Sequence, residues 1–324
     1  MKRSYSVFVD DKYFLDFIAL YNSWEYYENK VPIKVYCDGR LSEANKKKIS
    51  KKVKVVDVDM GHYTPHQFYG KYLFKWIGMS RYMADYEILL DADCIFLSNM
   101  DHLFEKLEQG YLVGAREEVD VIHKSYCKPE EWDQEHARIV NDLIPFIGDK
   151  AYNLTKDHIT LTYNAGLFGI SRKNHKFLLD KSIEMLTGGF DAKTNPISHL
   201  EQFNMNFLID MYNVDVFVLP QLEWMNTWGW HKHPKKVIKV EDGKITLHNE
   251  GGNRINFYHF TGDVGVKDDT GVIETCKMHH MVGDSLPYEP KLTRKHVEDL
   301  WYKRHESPVP LLYEFFFNRD SIMR

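Results

Sequence analysis

The feature that most constrains the fold is an alternation of short apolar runs with helical patterns. Runs typical of buried strands occur at 5–9, 32–37, 53–58 and within 87–97. Between them, apolar residues recur with helical spacing at 13–27, 42–51 and 68–84. Such alternation predicts an α/β protein with a mainly parallel, doubly wound sheet. Ligands of these sheets bind beyond the carboxyl ends of the strands.

Two aspartates interrupt the fourth apolar run, EILLDADCIFL at 87–97. Burying Asp91 and Asp93 costs free energy unless a cation or hydrogen-bond donors compensate the charge. Alternation along an extended chain would turn both side chains to one side. A pair of carboxylates there suits Mg²⁺ or Mn²⁺ and a phosphate-bearing ligand. The same residues also fit a plain strand end that caps a turn, so the motif alone leaves both interpretations open.

Composition narrows the class of protein. Hydrophobic residues make up 44% of the 324 residues and charged residues 27%, which is typical of a globular chain. The net charge of −5 gives no basic field for nucleic acid. No stretch approaches the ~20 apolar residues of a transmembrane segment. Four cysteines without CxxC spacing predict reduced thiols, so we expect a cytoplasmic protein, with peripheral membrane attachment left open.

The rest of the chain continues the α/β pattern. Strands are predicted at 111–115, 161–170, 214–219 and 255–260, and helices at 101–109, 130–147, 173–187 and 198–212. A hairpin is predicted over 237–248, around Asp242-Gly243. Residues 116–160 form a long polar excursion, a kind of segment that often carries function. The tail, 284–324, has a helical and aromatic pattern.

A histidine at the end of the last predicted strand is the best candidate for a third metal ligand. His259 beside two carboxylates would favour Mn²⁺ over Mg²⁺. The pairs His231/His233 and His279-His280 are competitors in polar loops. The loop 221–234 carries Trp224, Trp228 and Trp230, which fit either ordinary packing or an aromatic platform on which a ligand ring stacks.

Several motifs, taken in order, resemble a known family. They are VFVDDKY (7–13), DAD (91–93), YNAGLFGI (163–170), HLEQFNMN (199–206), LPQLEWMN (219–226) and HFTG (259–262). The chain resembles GT-A-fold glycosyltransferases, most of all glycosyltransferase family 8, which includes bacterial lipopolysaccharide sugar transferases and glycogenin-like proteins. The resemblance runs in patches over 5–267. It implies a catalytic domain at 1–267, with 116–160 as a candidate acceptor region. A mostly helical extension at 268–324 would pack on that domain.

The resemblance also implies roles for individual residues. Asp10 and Tyr13 would hold the nucleobase, and Asn164 and Ala165 would contact the donor sugar. Gln202 and Glu201 would lie at the reacting face. The metal ligands would be Asp91, Asp93 and His259, and the cationic contacts to the diphosphate would be Lys75 and Lys267.

Two departures from the family pattern affect these expectations. Lys267 lies eight residues after His259, where the family has six, and no Pro-Trp follows it. Phe203 replaces an acidic residue of the family's Asp-Gln-Asp motif, which leaves the donor sugar open.

The resemblance implies a metal-dependent, retaining transferase that moves a sugar from a UDP-linked donor to a sugar, glycan or glycoconjugate. Gln202 is not a carboxylate, so we expect front-face attack without a covalent intermediate. An inverting enzyme would instead need a carboxylate base such as Glu201 or Glu223. A non-catalytic sugar-nucleotide or glycan-binding protein is a further alternative. A nucleotidyltransferase is disfavoured because 7–15 contains no glycine for a phosphate loop.

Overall fold

The computed structural model describes residues 1–59, 70–116, 129–157, 163–188, 200–220, 237–249, 251–259 and Phe316. Its strands are β1 Arg3–Phe8, β2 Ile33–Cys37, β3 Lys54–Asp57, β4 Tyr86–Leu90, β5 Cys94–Phe96, β6 Leu112–Arg116, β7 Tyr163–Ser171, β8 Val216–Leu219, β9 Val237–Glu241, β10 Lys244–His248, β11 Arg254–Ile255 and β12 Phe257–His259. Its α-helices are α1 Phe14–Tyr26, α2 Glu43–Ile49, α3 Gly70–Tyr82, α4 Leu103–Glu108, α5 Trp132–Ile147, α6 Arg172–Thr187 and α7 Leu200–Met211.

The predicted α/β class is confirmed by a large, mainly parallel sheet with the strand order β3-β2-β1-β4-β7-β6-β8. β2 pairs parallel with β3, and β6 pairs parallel with β8. β7 pairs antiparallel with β6. Apart from the divided runs 87–97 and 255–260, the ends of the predicted helices and strands differ from the observed ones by a residue or two within the described part of the chain.

Two predicted apolar runs are divided in the structure. The run 255–260 contains the end of β11, which pairs with β10, and β12, which pairs with β5. The run 87–97 is divided between β4 and β5. The aspartates were predicted at the end of a strand, and β4 does end at Leu90, after which a turn at Ala92-Asp93 precedes β5. β5 is not part of the large sheet, and it pairs with β12 in a separate two-stranded sheet. The two aspartates therefore lie between strands of two different sheets, and the alternation expected along an extended chain does not apply to them.

The chain divides into two compact units. The first unit comprises Met1–Ser6, Val58–Leu89 and Leu103–Leu219, and the second comprises Val7–Asp57, Leu90–His102 and Pro220–Arg324. In the first unit, α6 packs against α3 and α7, and the Trp76 ring contacts the Phe168 ring at 5.9 Å. The core of this unit is therefore made by helices packed on the strand that carries the predicted Asn-Ala-Gly motif.

In the second unit, α1 is buried continuously from Phe14 to Ser23. A helix with apolar residues on all sides is stable only when it is covered on all sides. It packs on β5, where the backbone N–H of Phe96 donates to Ser23 Oγ at 2.9 Å. This bond ties the strand that follows the aspartates to the centre of the unit.

The hairpin predicted around Asp242-Gly243 is confirmed by β9 and β10. Asp242 has φ of 50° and Gly243 has φ of 73°. A two-residue turn with positive φ at both positions matches the twist of paired strands, and Asp-Gly favours it. No helix in the described part of the chain is long and apolar enough to cross a bilayer.

One residue of the C-terminal tail is described. Phe316 is fully buried, and its carbonyl oxygen accepts a 2.8 Å hydrogen bond from Asn22 Nδ2. Its ring lies 5.4 Å from that of Tyr26 and 5.9 Å from that of Tyr27. The predicted extension over 268–324 otherwise lies outside the described residues, and its boundary stays a prediction.

Candidate functional site

Pairing of β5 with β12 positions the predicted histidine. The register is antiparallel, with His259 opposite Cys94 and Phe257 opposite Phe96. Directly opposite residues of an antiparallel pair project on the same face. The Phe96 and Phe257 rings meet edge to face at 5.4 Å, in the core of the unit. This aromatic contact stabilises the register and with it the position of the imidazole.

Both aspartates approach the same imidazole nitrogen. His259 Nε2 lies 3.2 Å from Asp93 Oδ1 and 3.6 Å from Asp91 Oδ2. The His259 side chain is 6% exposed, while that of Asp91 is 30% exposed. The expected convergence of the carboxylates is present, although it comes from the turn and not from alternation along a strand. The cluster is buried on the histidine side and reachable from solvent on the Asp91 side.

These donors fit a divalent cation. Bonds of about 2.0–2.2 Å to nitrogen and oxygen place neighbouring ligand atoms roughly 3.0–3.5 Å apart around a tetrahedral or octahedral ion. The two distances from His259 Nε2 lie close to that range. Imidazole with two carboxylates suits Mn²⁺ better than Mg²⁺, which prefers oxygen alone.

The two aspartates after β1 have different surroundings. Asp10 Oδ1 accepts a 3.0 Å hydrogen bond from the backbone N–H of Tyr13, at the start of α1. Asp11 Oδ1 accepts from the Ser42 N–H, the Ser42 hydroxyl and Asn45 Nδ2, at 2.9, 3.0 and 2.9 Å. Burial acts to raise the pKa of Asp11, but the hydrogen bonds from Ser42 and Asn45 outweigh it and lower that pKa. Asp11 therefore anchors the N-terminus of α2.

Asp10 lies at the sheet edge where the metal candidates lie. The backbone N–H of Tyr86 donates to the Lys2 carbonyl at 3.1 Å, so β1 and β4 start side by side. Strands that start together run parallel and end at one edge. Asp10 follows β1 and Asp91 follows β4. The Tyr13 ring, a predicted base platform, has Lys12 Nζ at 5.1 Å from its centroid.

In the first unit, three predicted residues come together at the start of β7. Gln202 Oε1 accepts a 2.9 Å hydrogen bond from the backbone N–H of Ala165. Asn164 Oδ1 accepts from the N–H of Gly166 at 2.7 Å. All three predicted side chains are buried. Asn164 pairs with Ala115 near the carboxyl end of β6, which is where a ligand of this sheet is expected.

Comparison with known proteins adds one finding. A family model described as "Mannosyltransferase putative" matches residues 5–111. The match supports the interpretation of this chain as a glycosyltransferase. The matched region contains Asp10, Asp91 and Asp93, and it covers about a third of the chain. It does not single out glycosyltransferase family 8. No curated protein matches the chain.

The other predicted site residues are described only in part. Lys75 lies on α3 and is 6% exposed, with Nζ 5.7 Å from the Trp76 ring centroid. Glu201 lies on α7, but its side chain is outside the described residues. The remaining candidates, also outside the described residues, are Lys267, Glu223, the 221–234 loop with its three tryptophans, His231/His233 and His279-His280.

Two residues near the candidate sites were missed by sequence reasoning. Asn206 Oδ1 accepts from the Tyr163 N–H at 2.7 Å, and its Nδ2 donates to the Tyr163 carbonyl at 3.0 Å. Its spacing of four residues from Gln202 was an available signal, since residues i and i+4 share a helix face. Cys94 lies beside the metal candidates, and nothing short of the β5–β12 register could have indicated that.

Proposed function

We propose that this glycosyltransferase moves a hexosyl group from a nucleotide diphosphate donor to a sugar or glycan acceptor with the help of a divalent cation. The observation that carries the proposal is the convergence of Asp93 and Asp91 on His259 Nε2, at 3.2 and 3.6 Å. The family match supports it, because the matched region includes the two aspartates.

Asp91, Asp93 and His259 would hold the ion. A bound Mn²⁺ would stabilise the negative charge that develops on the departing diphosphate. Asp91, the most exposed of the three side chains, keeps the cluster open to solvent and hence to phosphate oxygens. The buried His259 fixes the position of the cluster, since it lies in a paired strand.

The remaining roles follow from the resemblance and from local contacts. Asp10 would bind the nucleobase, with Tyr13 stacking on it. Asn164 and Ala165 would contact the donor sugar. Lys75 and Lys267 would add positive charge for the diphosphate.

The resemblance to family 8 implies transfer with retention, and Gln202 argues against a covalent intermediate on that route. The carbonyl oxygen of Gln202 is fixed by the Ala165 N–H, and a neutral amide does not form the ester that a carboxylate nucleophile forms with the sugar. In the proposed step, the acceptor oxygen bonds to the anomeric carbon on the face that the diphosphate leaves. The bond from that carbon to the phosphate oxygen breaks, and the acceptor's hydroxyl proton passes to the phosphate.

Two observations bear on the donor. The resemblance to family 8 favours a UDP-linked sugar, whereas the description of the matching family names mannose. A panel of UDP- and GDP-linked hexoses, GDP-mannose included, tests both. Slow hydrolysis of one compound in the presence of Mn²⁺ would identify base and sugar together.

The decisive experiment compares the wild-type protein with Asp91→Ala. We expect Mn²⁺-dependent turnover of one donor by the wild type and at least a 100-fold loss in the variant, because a metal ligand is removed. Full transfer by Asp91→Ala in Mn²⁺ would refute the proposal. An inverted product anomer in NMR spectra would instead favour Glu201 or Glu223 as base. Tight UDP binding without any product would favour a binding protein.

A further inference from the structure

A thiol lies beside the carboxylate–imidazole cluster. The ligand atoms of Asp93, Cys94 and His259 all lie within 4.8 Å of one another. Cys94 is 1% exposed and faces His259 across the β5–β12 pair, so the two side chains project on the same face. Asp93 precedes Cys94 in the chain and approaches the same imidazole from the turn.

The chemistry of this set differs from that of the Asp91–Asp93–His259 set. A thiolate is a soft ligand that Mg²⁺ and Mn²⁺ use poorly, whereas Zn²⁺ is commonly bound by sulfur, nitrogen and carboxylate oxygen together. Bonds of about 2.3 Å to sulfur and 2.0–2.1 Å to nitrogen put ligand atoms roughly 3.3–3.6 Å apart around tetrahedral zinc. The donor atoms lie within 4.8 Å of one another, so each pair needs to close by about 1.5 Å at most to reach that distance.

We propose that Asp93, Cys94 and His259 form a Zn²⁺ site, with Cys94 as its thiolate ligand. The site leaves one tetrahedral position for water or another oxygen ligand. It shares Asp93 and His259 with the cation site proposed for catalysis, so one ion excludes the other. Zn²⁺ binds nitrogen and sulfur ligands more tightly than Mn²⁺ does. Micromolar Zn²⁺ therefore inhibits the transferase by displacing its working ion, a consequence that rests on the proposed function.

The alternative for Cys94 is simple packing. Buried cysteines often behave as small apolar side chains. Two observations favour ligation. The first is that an imidazole and a carboxylate lie near the Cys94 thiol, so its surroundings are not aliphatic side chains alone. The second is that the three donor atoms are close enough to one another to share an ion.

Cobalt is a suitable probe, because thiolate-bound Co²⁺ has an intense near-ultraviolet charge-transfer band and Co²⁺ accepts the ligands of zinc. The experiment uses the full chain carrying Cys127→Ser and Cys276→Ser, so that only Cys37 and Cys94 remain. We expect the band on addition of Co²⁺ and its loss on addition of Zn²⁺. Cys94→Ser should abolish it and weaken Zn²⁺ binding in calorimetry at least about 100-fold, since losing even an outer partner of a ligand costs 10–100-fold.

Cys37→Ser is the matched control. Cys37 is also buried in the second unit, but its Sγ lies 3.4 Å from Asp57 Oδ1. Burial, as the larger effect, and the hydrogen bond to Asp57 together raise the pKa of the Cys37 thiol to about 12. The Cys37 thiol therefore stays protonated. The cobalt band should survive Cys37→Ser unchanged. If Cys94→Ser unfolds, Cys94→Ala and His259→Gln are tested for the same loss.

The cobalt experiment and the transfer assay can fail independently, so failure of the zinc site is distinguishable from failure of the proposed function. The cobalt band needs no donor and no turnover. Asp91→Ala should abolish transfer while keeping the band, because Asp91 is not one of the three ligands. Absence of a band in the chain that carries Cys94, or its persistence after Cys94 is replaced, overturns the zinc site. Loss of transfer alone does not bear on it.

Discussion

Gln202, on α7, and Ala165, on β7, are joined by a hydrogen bond in which Gln202 Oε1 accepts from the Ala165 N–H at 2.9 Å. The bond lies in the buried part of the first unit, where a backbone donor without an acceptor is costly. It links the two sequence motifs that the resemblance assigned to the donor sugar and the reacting face. The orientation of the amide is thus set by the fold before any substrate binds.

Replacing Gln202 should affect stability and catalysis together. Gln202→Leu leaves the buried Ala165 N–H without its acceptor and should lower the free energy of unfolding by about 1–3 kcal/mol. Gln202→Glu retains an acceptor oxygen and should keep more of that stability. Urea unfolding measures both variants, and transfer should fall at least about 10-fold in each. An unchanged transfer rate in Gln202→Leu would remove Gln202 from the reacting face.

His259→Gln should reduce Mn²⁺ affinity by at least about 100-fold, because the imidazole nitrogen is the centre of the cluster. His248→Gln is the matched control. His248 is also a buried strand histidine of the second unit, but its Nδ1 contacts the Gly252 carbonyl at 3.0 Å, and its Nε2 the Thr246 hydroxyl at 3.0 Å. Calorimetric Mn²⁺ titration should leave the control unaffected. Equal loss in both variants would point to general destabilisation.

The neighbours Asp10 and Asp11 should give opposite phenotypes. Asp10→Asn keeps an acceptor for the Tyr13 N–H but removes the charge, so we expect a higher KM for the donor and an unchanged Tm. Asp11→Ala removes three hydrogen bonds at the start of α2 and should lower Tm with little effect on KM. A raised KM in Asp11→Ala alone would reverse the assignment.

Acid should destabilise the first unit through His175. Burial lowers the pKa of His175 from 6.5 to about 4, and its Nδ1 accepts from the Ser171 N–H at 3.1 Å, which requires the neutral ring. Between pH 6.5 and about 4, the unfolded chain binds a proton that the folded chain does not. The free energy of unfolding should therefore fall as pH drops through this window, by up to about 1.4 kcal/mol per pH unit.

Urea unfolding at pH 7.0 and 5.0 measures this dependence. His175→Gln offers a side chain of similar size that does not titrate in this range, so its unfolding free energy should change less between the two pH values. An equal change in both proteins would assign the acid sensitivity to other groups.

Local patterns were enough to predict most elements of the fold. Residues 5–9 and 32–37 are short apolar runs, and α1 is a long apolar helix, so hydrophobic spacing alone located them. The hairpin at Asp242-Gly243 was predicted because few residues other than Gly, Asn and Asp accept positive φ. In each case the signal lies within a few adjacent residues.

The sequence singled out the three residues that converge in the candidate site, but it did not predict their geometry. Asp91, Asp93 and His259 were selected as strand-end residues, which is a local property. The turn at Ala92-Asp93 and the move of β5 to a second sheet depend on a partner strand far along the chain. Cys94 therefore had no local signal, since its importance arises only from lying opposite His259.

The pairing of β5 with β12 has a consequence for the order of folding. Cys94 and His259 are neighbours across two strands that are separated in sequence by about half of the chain. The entropy of closing such a loop must be lost before the pairing contributes any stability, so contacts of this range form late. β4 can pair with its neighbours earlier. A nascent chain would thus lack the imidazole of His259 beside Asp91 and Asp93 until β12 arrives, and a bound cation would stabilise the closed state by mass action.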